Sequence, residues 1–174
     1  AMGGKAIGLC GKDANLIEVT KTPLKDGVDL GYVGQVTRIN VELLTMLTQN
    51  GYIPVIAPVG VGPGGESYNI NADTVASAVA TAMKAEKLMF LTDIDGIRRV
   101  ADDPETLIYE ISSADVADMI ADGILYGGML PKAKACAKAI REGVNRVHII
   151  NGTIPHSIIL EIFTDSGIGT MFTQ

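Results

Sequence analysis

The sequence predicts an α/β protein with a mostly parallel sheet, and three observations carry the prediction. Short β-rich runs alternate with helix-period segments along most of the chain. Lys87 to Thr92 is nearly continuously apolar, as a strand buried on both faces should be. Polar, glycine-containing segments sit where apolar runs stop, at Tyr68-Asn-Ile-Asn-Ala-Asp73, Thr92-Asp-Ile-Asp-Gly96 and Gly127-Gly-Met-Leu-Pro-Lys132. In α/β proteins such strand ends are where ligands are held.

Taken in order, Ala6 to Cys10 and Leu16 to Thr20 read as a hairpin, with Gly11-Lys-Asp-Ala-Asn15 supplying turn chemistry. A polar loop rich in Asp and Gly follows. Ile39, Leu43, Leu44 and Leu47 fall at helical spacing, which predicts a helix over 37–49 stopped by Asn50-Gly51. Tyr52 to Val59 is a short β-rich run, and Asn71 to Lys84 places Val75, Ala76, Val79, Ala82 and Met83 on one helical face. After the Lys87–Thr92 strand come a charged connector around Asp102-Asp-Pro104, a helix near 114–121 and a helix from about Pro131 to Glu142. A strand over 146–150, a short helix over 156–163 and a strand over 169–173 close the pattern. The early hairpin is expected as an antiparallel addition to a parallel sheet.

With 174 residues, 47% of them apolar, the chain is expected to build one domain. Its 14 basic and 20 acidic residues give a formal charge of −6, which argues against a nucleic-acid surface or an anionic membrane and favours a small-molecule ligand. No stretch is apolar for long enough to cross a bilayer, and Ala1-Met-Gly-Gly-Lys5 lacks the regions of a signal peptide, so a cytoplasmic location is expected. Cys10 and Cys136 show neither metal-ligand nor disulfide spacing, and no metal site is expected from them.

Gly60-Val-Gly-Pro-Gly-Gly65 matches a dinucleotide fingerprint formally. That motif needs a helix to open at the glycines, and here Glu66 to Ile70 intervene, so a loop or hairpin tip is expected instead. Asn71 and Asp73 are explained by capping a helix and complementing its dipole. Asn69 beside them is not, which leaves a cluster of amides and a carboxylate at a strand-to-helix mouth. Lys132 falls in the first turn of a helix, where the dipole disfavours a cation. Either an anion lies near it, with Gly127 and Gly128 admitting a phosphate to the helix-end amides, or the side chain points to solvent. Asp93 and Asp95 end the most buried strand, positioned for a nucleotide, a magnesium ion or Lys132, although Asp-Gly is also an ordinary turn.

In this order, Gly8-Leu-Cys-Gly-Lys-Asp13, Asp29-Leu-Gly-Tyr-Val-Gly34, Asn50-Gly-Tyr-Ile-Pro54, Tyr68-Asn-Ile-Asn-Ala-Asp73, Leu91-Thr-Asp-Ile-Asp-Gly96 and Gly127-Gly-Met-Leu-Pro-Lys132 resemble the amino-acid kinase family over the whole chain. The likeness is to those members that phosphorylate N-acetyl-L-glutamate in arginine biosynthesis. It implies an open αβα sandwich of the carbamate kinase-like type and transfer of the γ-phosphoryl of ATP, with Mg²⁺, to the γ-carboxylate of the acceptor. On that resemblance Lys132 and Asp73 are catalytic, Asn69 and Asn71 hold the acceptor, and Thr92, Asp93, Asp95, Gly96, Tyr126, Gly128 and Met129 contact the nucleotide. The tail from His148 to Met171 is similar to members inhibited by L-arginine, implying an effector site at His148, Glu161 and Gly167. Family members assemble as homo-oligomers.

The resemblance also implies an earlier glycine-lysine loop and an arginine-bearing acceptor lid, which this sequence does not contain. The chain is thus expected to be an N-terminally truncated, ATP-binding part with a residual substrate-side hairpin at about 5–35. Little or no kinase activity is expected from it alone. The alternatives are a non-catalytic nucleotide- or arginine-binding module and another amino-acid kinase such as an aspartokinase.

Overall fold

A computed structural model describes residues 3–24, 27–100 and 103–174. The chain forms two compact units, Ala1–Met83 and Lys84–Gln174. The first contains β1 (Lys5–Cys10), β2 (Ile17–Lys21), β3 (Gly34–Ile39), α1 (Val41–Gln49), β4 (Tyr52–Ala57), β5 (Val59–Val61), β6 (Ser67–Asn69) and α2 (Ala72–Ala82).

The hairpin expected between 6–10 and 16–20 is not formed. Instead β1 pairs in parallel with β4, Lys5 opposite Tyr52 through Cys10 opposite Ala57. The intervening turn takes Ala14 and Asn15 to positive φ (48° and 52°), and Gly11 is pressed so close that an added Cβ would lie 2.1 Å from the Val59 carbonyl oxygen. That turn redirects the chain, so β2 pairs antiparallel with β3 in a sheet of order β3-β2-β5-β6. Residues 37–39, expected to open a helix, belong to β3, and Asn40 begins α1 by accepting the Leu43 amide (3.3 Å) on its side chain. Ile39 is buried all the same, because it and Leu44 enter one core with Leu16, Ile17, Val19, Tyr68, Ile70 and Val75. The 60–65 glycines form the tip of the β5–β6 hairpin, which removes the dinucleotide reading. Among the described residues β1 and β4 make a two-stranded sheet, and β4 leaves Ile53 and Val55 each 57% exposed.

After α2, Lys84 adopts a left-handed conformation (φ 49°) of the kind that usually ends helices on glycine. Lys84→Gly is expected to stabilise the fold by about 0.5–1 kcal/mol, read as a rise of roughly 1–4 °C in Tm on thermal denaturation.

The second unit contains β7 (Lys87–Thr92), β8 (Glu110–Ser112), α3 (Val116–Ala121), α4 (Met129–Arg141), β9 (Arg146–Asn151), α5 (Ser157–Phe163) and β10 (Thr170–Thr173). Its sheet has the order β7-β9-β10-β8. β7 and β9 run parallel from Lys87 opposite Arg146 to Thr92 opposite Asn151, which aligns their carboxyl ends. β10 is antiparallel to β9 and parallel to β8, so the second unit also departs from the mostly parallel pairing expected of it. α4 buries Ala133, Cys136, Ala137, Ala139 and Ile140. These mostly small residues let the helix lie close on β9 and β10, over a core that includes Val147, Ile149, Ile150 and Phe172. Asp102 of the charged connector lies outside the described residues; beyond it Asp103 caps a single 3-10 turn at Pro104–Thr106 through the Glu105 amide (3.0 Å). Among the described residues no helix is long and apolar enough to cross a membrane, and both cysteines are free.

Candidate functional site

A cleft of about 610 Å³ opens in the second unit beyond the carboxyl ends of β7 and β9. Asp93 to Arg98 line it from the loop after β7, Asn151 from the end of β9, Ile124 and Tyr126 to Gly128 from the loop before α4, and Met129 and Lys132 from the first turn of α4. Thr92 stands at its edge and ties the strand end to the loop: its hydroxyl donates to the Ile94 carbonyl (3.0 Å) and accepts the Ile94 amide (3.1 Å). Gly96 (φ 152°) lies where a Cβ would come within 2.6 Å of the Thr170 hydroxyl. That hydroxyl accepts the Ile97 amide (2.8 Å) and donates to the Ile108 carbonyl (2.7 Å), fixing the cleft floor to β10.

Gly127 has φ 52° and turns the chain into α4, whose N-cap is Gly128. Pro131 is tolerated in the first turn because its missing N–H has no helical partner there. The first turn carries no acidic residue, so the helix dipole and the half-buried Lys132 give this wall of the cleft a positive character, while the Met129 and Leu130 amides are bonded to the Tyr126 (3.2 Å) and Gly127 (3.3 Å) carbonyls. Ile94, Ile97, Ile124 and Met129 line the same cleft, and Tyr126 is 58% exposed over it. Asp93 is exposed, whereas Asp95 is held from two sides: Arg98 donates to Oδ2 (2.6 Å) and Asn151 Nδ2 donates to Oδ1 (2.8 Å). Asn151 is anchored in turn, its Oδ1 accepting the Thr153 amide (2.9 Å) and hydroxyl (2.6 Å). Sequence reasoning missed Asn151. Its signal was available, since it ends a β strand parallel to β7 and the strand-end rule applies to it equally.

Asn69, Asn71 and Asp73 belong to the first unit. Asn69 ends β6, with its backbone amide bonded to the Tyr32 carbonyl (2.8 Å). Asn71 caps α2, its Oδ1 accepting the Thr74 amide (3.1 Å), and Asp73 sits half-buried in the first turn. Nearby, Tyr68 donates its hydroxyl to Glu66 (3.2 Å), and burial, with the Glu66 charge next in weight, raises the phenol above its usual pKa.

The second unit also brings His148, Glu161 and Gly167 together. The His148 Nδ1–H donates to Glu161 Oε1 (2.7 Å), and the two side chains are 6% and 4% exposed. Glu161 Oε2 accepts the amides of Ile168 (2.7 Å) and Gly169 (3.0 Å). A Cβ on Gly167 would stand 2.6 Å from that same oxygen, which accounts for a glycine with φ 68° here. His148 Nε2 is buried and, among the described residues, has no hydrogen-bond partner. The carboxylate that the resemblance offers to a guanidinium is therefore already engaged within the chain.

A cleft at parallel strand ends, with the positive end of a helix and a lysine on one wall and apolar side chains on another, defines an α/β protein suited to an anionic small molecule with an apolar part. The chain belongs to the amino acid kinase family, whose model matches residues 1–151. It is 55% identical to an acetylglutamate kinase of Symbiobacterium thermophilum over all of this chain, and it spans 58–61% of the length of curated relatives of that name. Among solved structures it resembles N-acetylglutamate synthase from Neisseria gonorrhoeae, at 27% identity over 99% of this chain and 38% of that one. The TM-score is 0.88 against the complex with coenzyme A and N-acetyl-glutamate and 0.83 against the complex with coenzyme A and L-arginine.

Proposed function

We propose that the chain carries the nucleotide-binding part of an acetylglutamate kinase, with the triphosphate of ATP at the N-terminus of α4 and the base along the apolar wall. The observation that supports this most is the Lys132 cleft, where a cation, the positive end of a helix and two adjacent glycines converge beside an apolar surface. In the reaction, a γ-carboxylate oxygen of N-acetyl-L-glutamate bonds to the γ-phosphorus as the bond to the bridging oxygen breaks, and ADP leaves. Lys132 offsets the charge on the transferring group. In the first unit Asp73 is the other catalytic residue of this reading, and Asn69 and Asn71 hold the acceptor. Among the described residues no three His, Cys, Asp or Glu side chains gather as a metal cage. In this reading Mg²⁺ is carried by the nucleotide phosphates, with the exposed Asp93 as a carboxylate ligand. His148, Glu161 and Gly167 form the L-arginine site in this reading; their convergence and the arginine complex of the synthase support it.

Calorimetric titration of the 174-residue chain with Mg-ATP, then L-arginine, beside a coupled ADP-release assay with N-acetyl-L-glutamate, tests the proposal. Saturable Mg-ATP binding with little turnover is the expected result. Absence of nucleotide binding overturns it.

A further inference from the structure

We propose that Asp95 reads the ribose hydroxyls of the nucleotide and makes the cleft selective for ribonucleotides; this rests on the nucleotide reading above. An ionised carboxylate has about four acceptor positions. The two oxygens of Asp95 each hold one N–H donor, from Asn151 at 2.8 Å and Arg98 at 2.6 Å, so one acceptor direction remains on each. Two parallel acceptors on one rigid plane match the two O–H donors of a vicinal diol.

The surroundings favour that role over others for the same group. Arg98 offsets the Asp95 charge, so the carboxylate does not repel a triphosphate in the same cleft. Donors from two separate segments fix its plane, and Asn151 is itself held by Thr153, so no ordering of the acceptor remains to be done when ligand arrives. Asp93, by contrast, is exposed, and among the described residues no hydrogen bond orients its carboxylate. The two carboxylates divide by environment: the held one suits directional hydrogen bonding to neutral hydroxyls, and the unheld one suits a hydrated cation.

The test compares Mg-ATP with Mg-2′,3′-dideoxy-ATP and inorganic tripolyphosphate by calorimetry, on the wild-type chain and on Asp95→Asn. The wild-type chain is expected to prefer ATP over the dideoxy analogue by about 10-fold or more, the size expected for hydroxyls bonded to a carboxylate. In Asp95→Asn, which keeps the shape but loses an acceptor and the charge, the preference is expected to fall to within about 2-fold. The wild-type comparison stands whether or not the variant folds. Equal binding of both nucleotides by the wild-type chain, tighter than tripolyphosphate, overturns the ribose assignment and leaves the nucleotide site in place. A preference that persists in Asp95→Asn overturns it as well, because another group must then read the sugar. Nucleotides binding no better than tripolyphosphate, or not at all, overturn both this assignment and the nucleotide reading.

Discussion

Replacing Lys132 with methionine is expected to weaken Mg-ATP binding by about 10- to 100-fold, the range for losing a charged hydrogen bond to phosphate. Methionine keeps the length and apolar stem, so the change isolates the ammonium group. The two Gly residues before α4 and the helix dipole stay in place and retain part of the affinity. Calorimetry on the wild-type and Lys132→Met chains, at matched ionic strength, checks it. An affinity unchanged within about 2-fold would place the phosphates elsewhere and leave the lysine as a surface group. If tripolyphosphate loses affinity in parallel with ATP, the loss belongs to the phosphate wall.

The second large effect is on stability. Glu161→Ala is expected to cost roughly 3–5 kcal/mol, because it strips one oxygen from His148 and the other from the Ile168 and Gly169 amides inside a buried pocket. For a chain of this size that corresponds to a fall of about 6–20 °C in Tm. Among the described residues His148 Nε2 has no partner already, so the variant would leave the buried ring with none on either nitrogen. Glu161→Gln should fall between, since its amide oxygen can still accept the backbone N–H groups while its NH₂ meets the Nδ1–H. Thermal denaturation of the three proteins gives the order wild type, Gln, Ala. A loss below about 1 kcal/mol for Ala would mean that water replaces the carboxylate freely.

Much of the fold was legible because it is local. Lys87–Thr92 emerges at the bounds read from its apolar run, and α2, α4, β9, α5 and β10 lie within two residues of their expected positions. The misreadings are pairings. Nothing near Lys5–Cys10 announces that its partner lies at Tyr52–Ala57, and turn residues beside two apolar runs suggested the nearer partner. β8 was missed for the same reason, being three residues made a strand by distant β10. Ile39 fitted two periodicities at once, a strand end and a helix face, and the Asn40 cap decides between them. In the cleft, the strand-end rule located the β7 side, and the α4 side followed from a lysine at the wrong end of a helix. Which donors hold which carboxylate was not legible, since the Asn151–Asp95 bond joins residues 56 apart in sequence.

The β1–β4 pair carries a consequence for handling the protein. Parallel strands are ordinarily covered on both faces, and here Ile53 and Val55 face solvent on a two-stranded ribbon. Such a ribbon is a template for strands of other molecules. What holds copies apart in dilute buffer is the mutual repulsion of chains of charge −6, which reaches only about 10 Å in 0.1 M salt. Colloidal behaviour therefore turns on ionic strength: low salt keeps the molecules dispersed, and concentrated salt brings the ribbons within reach of one another.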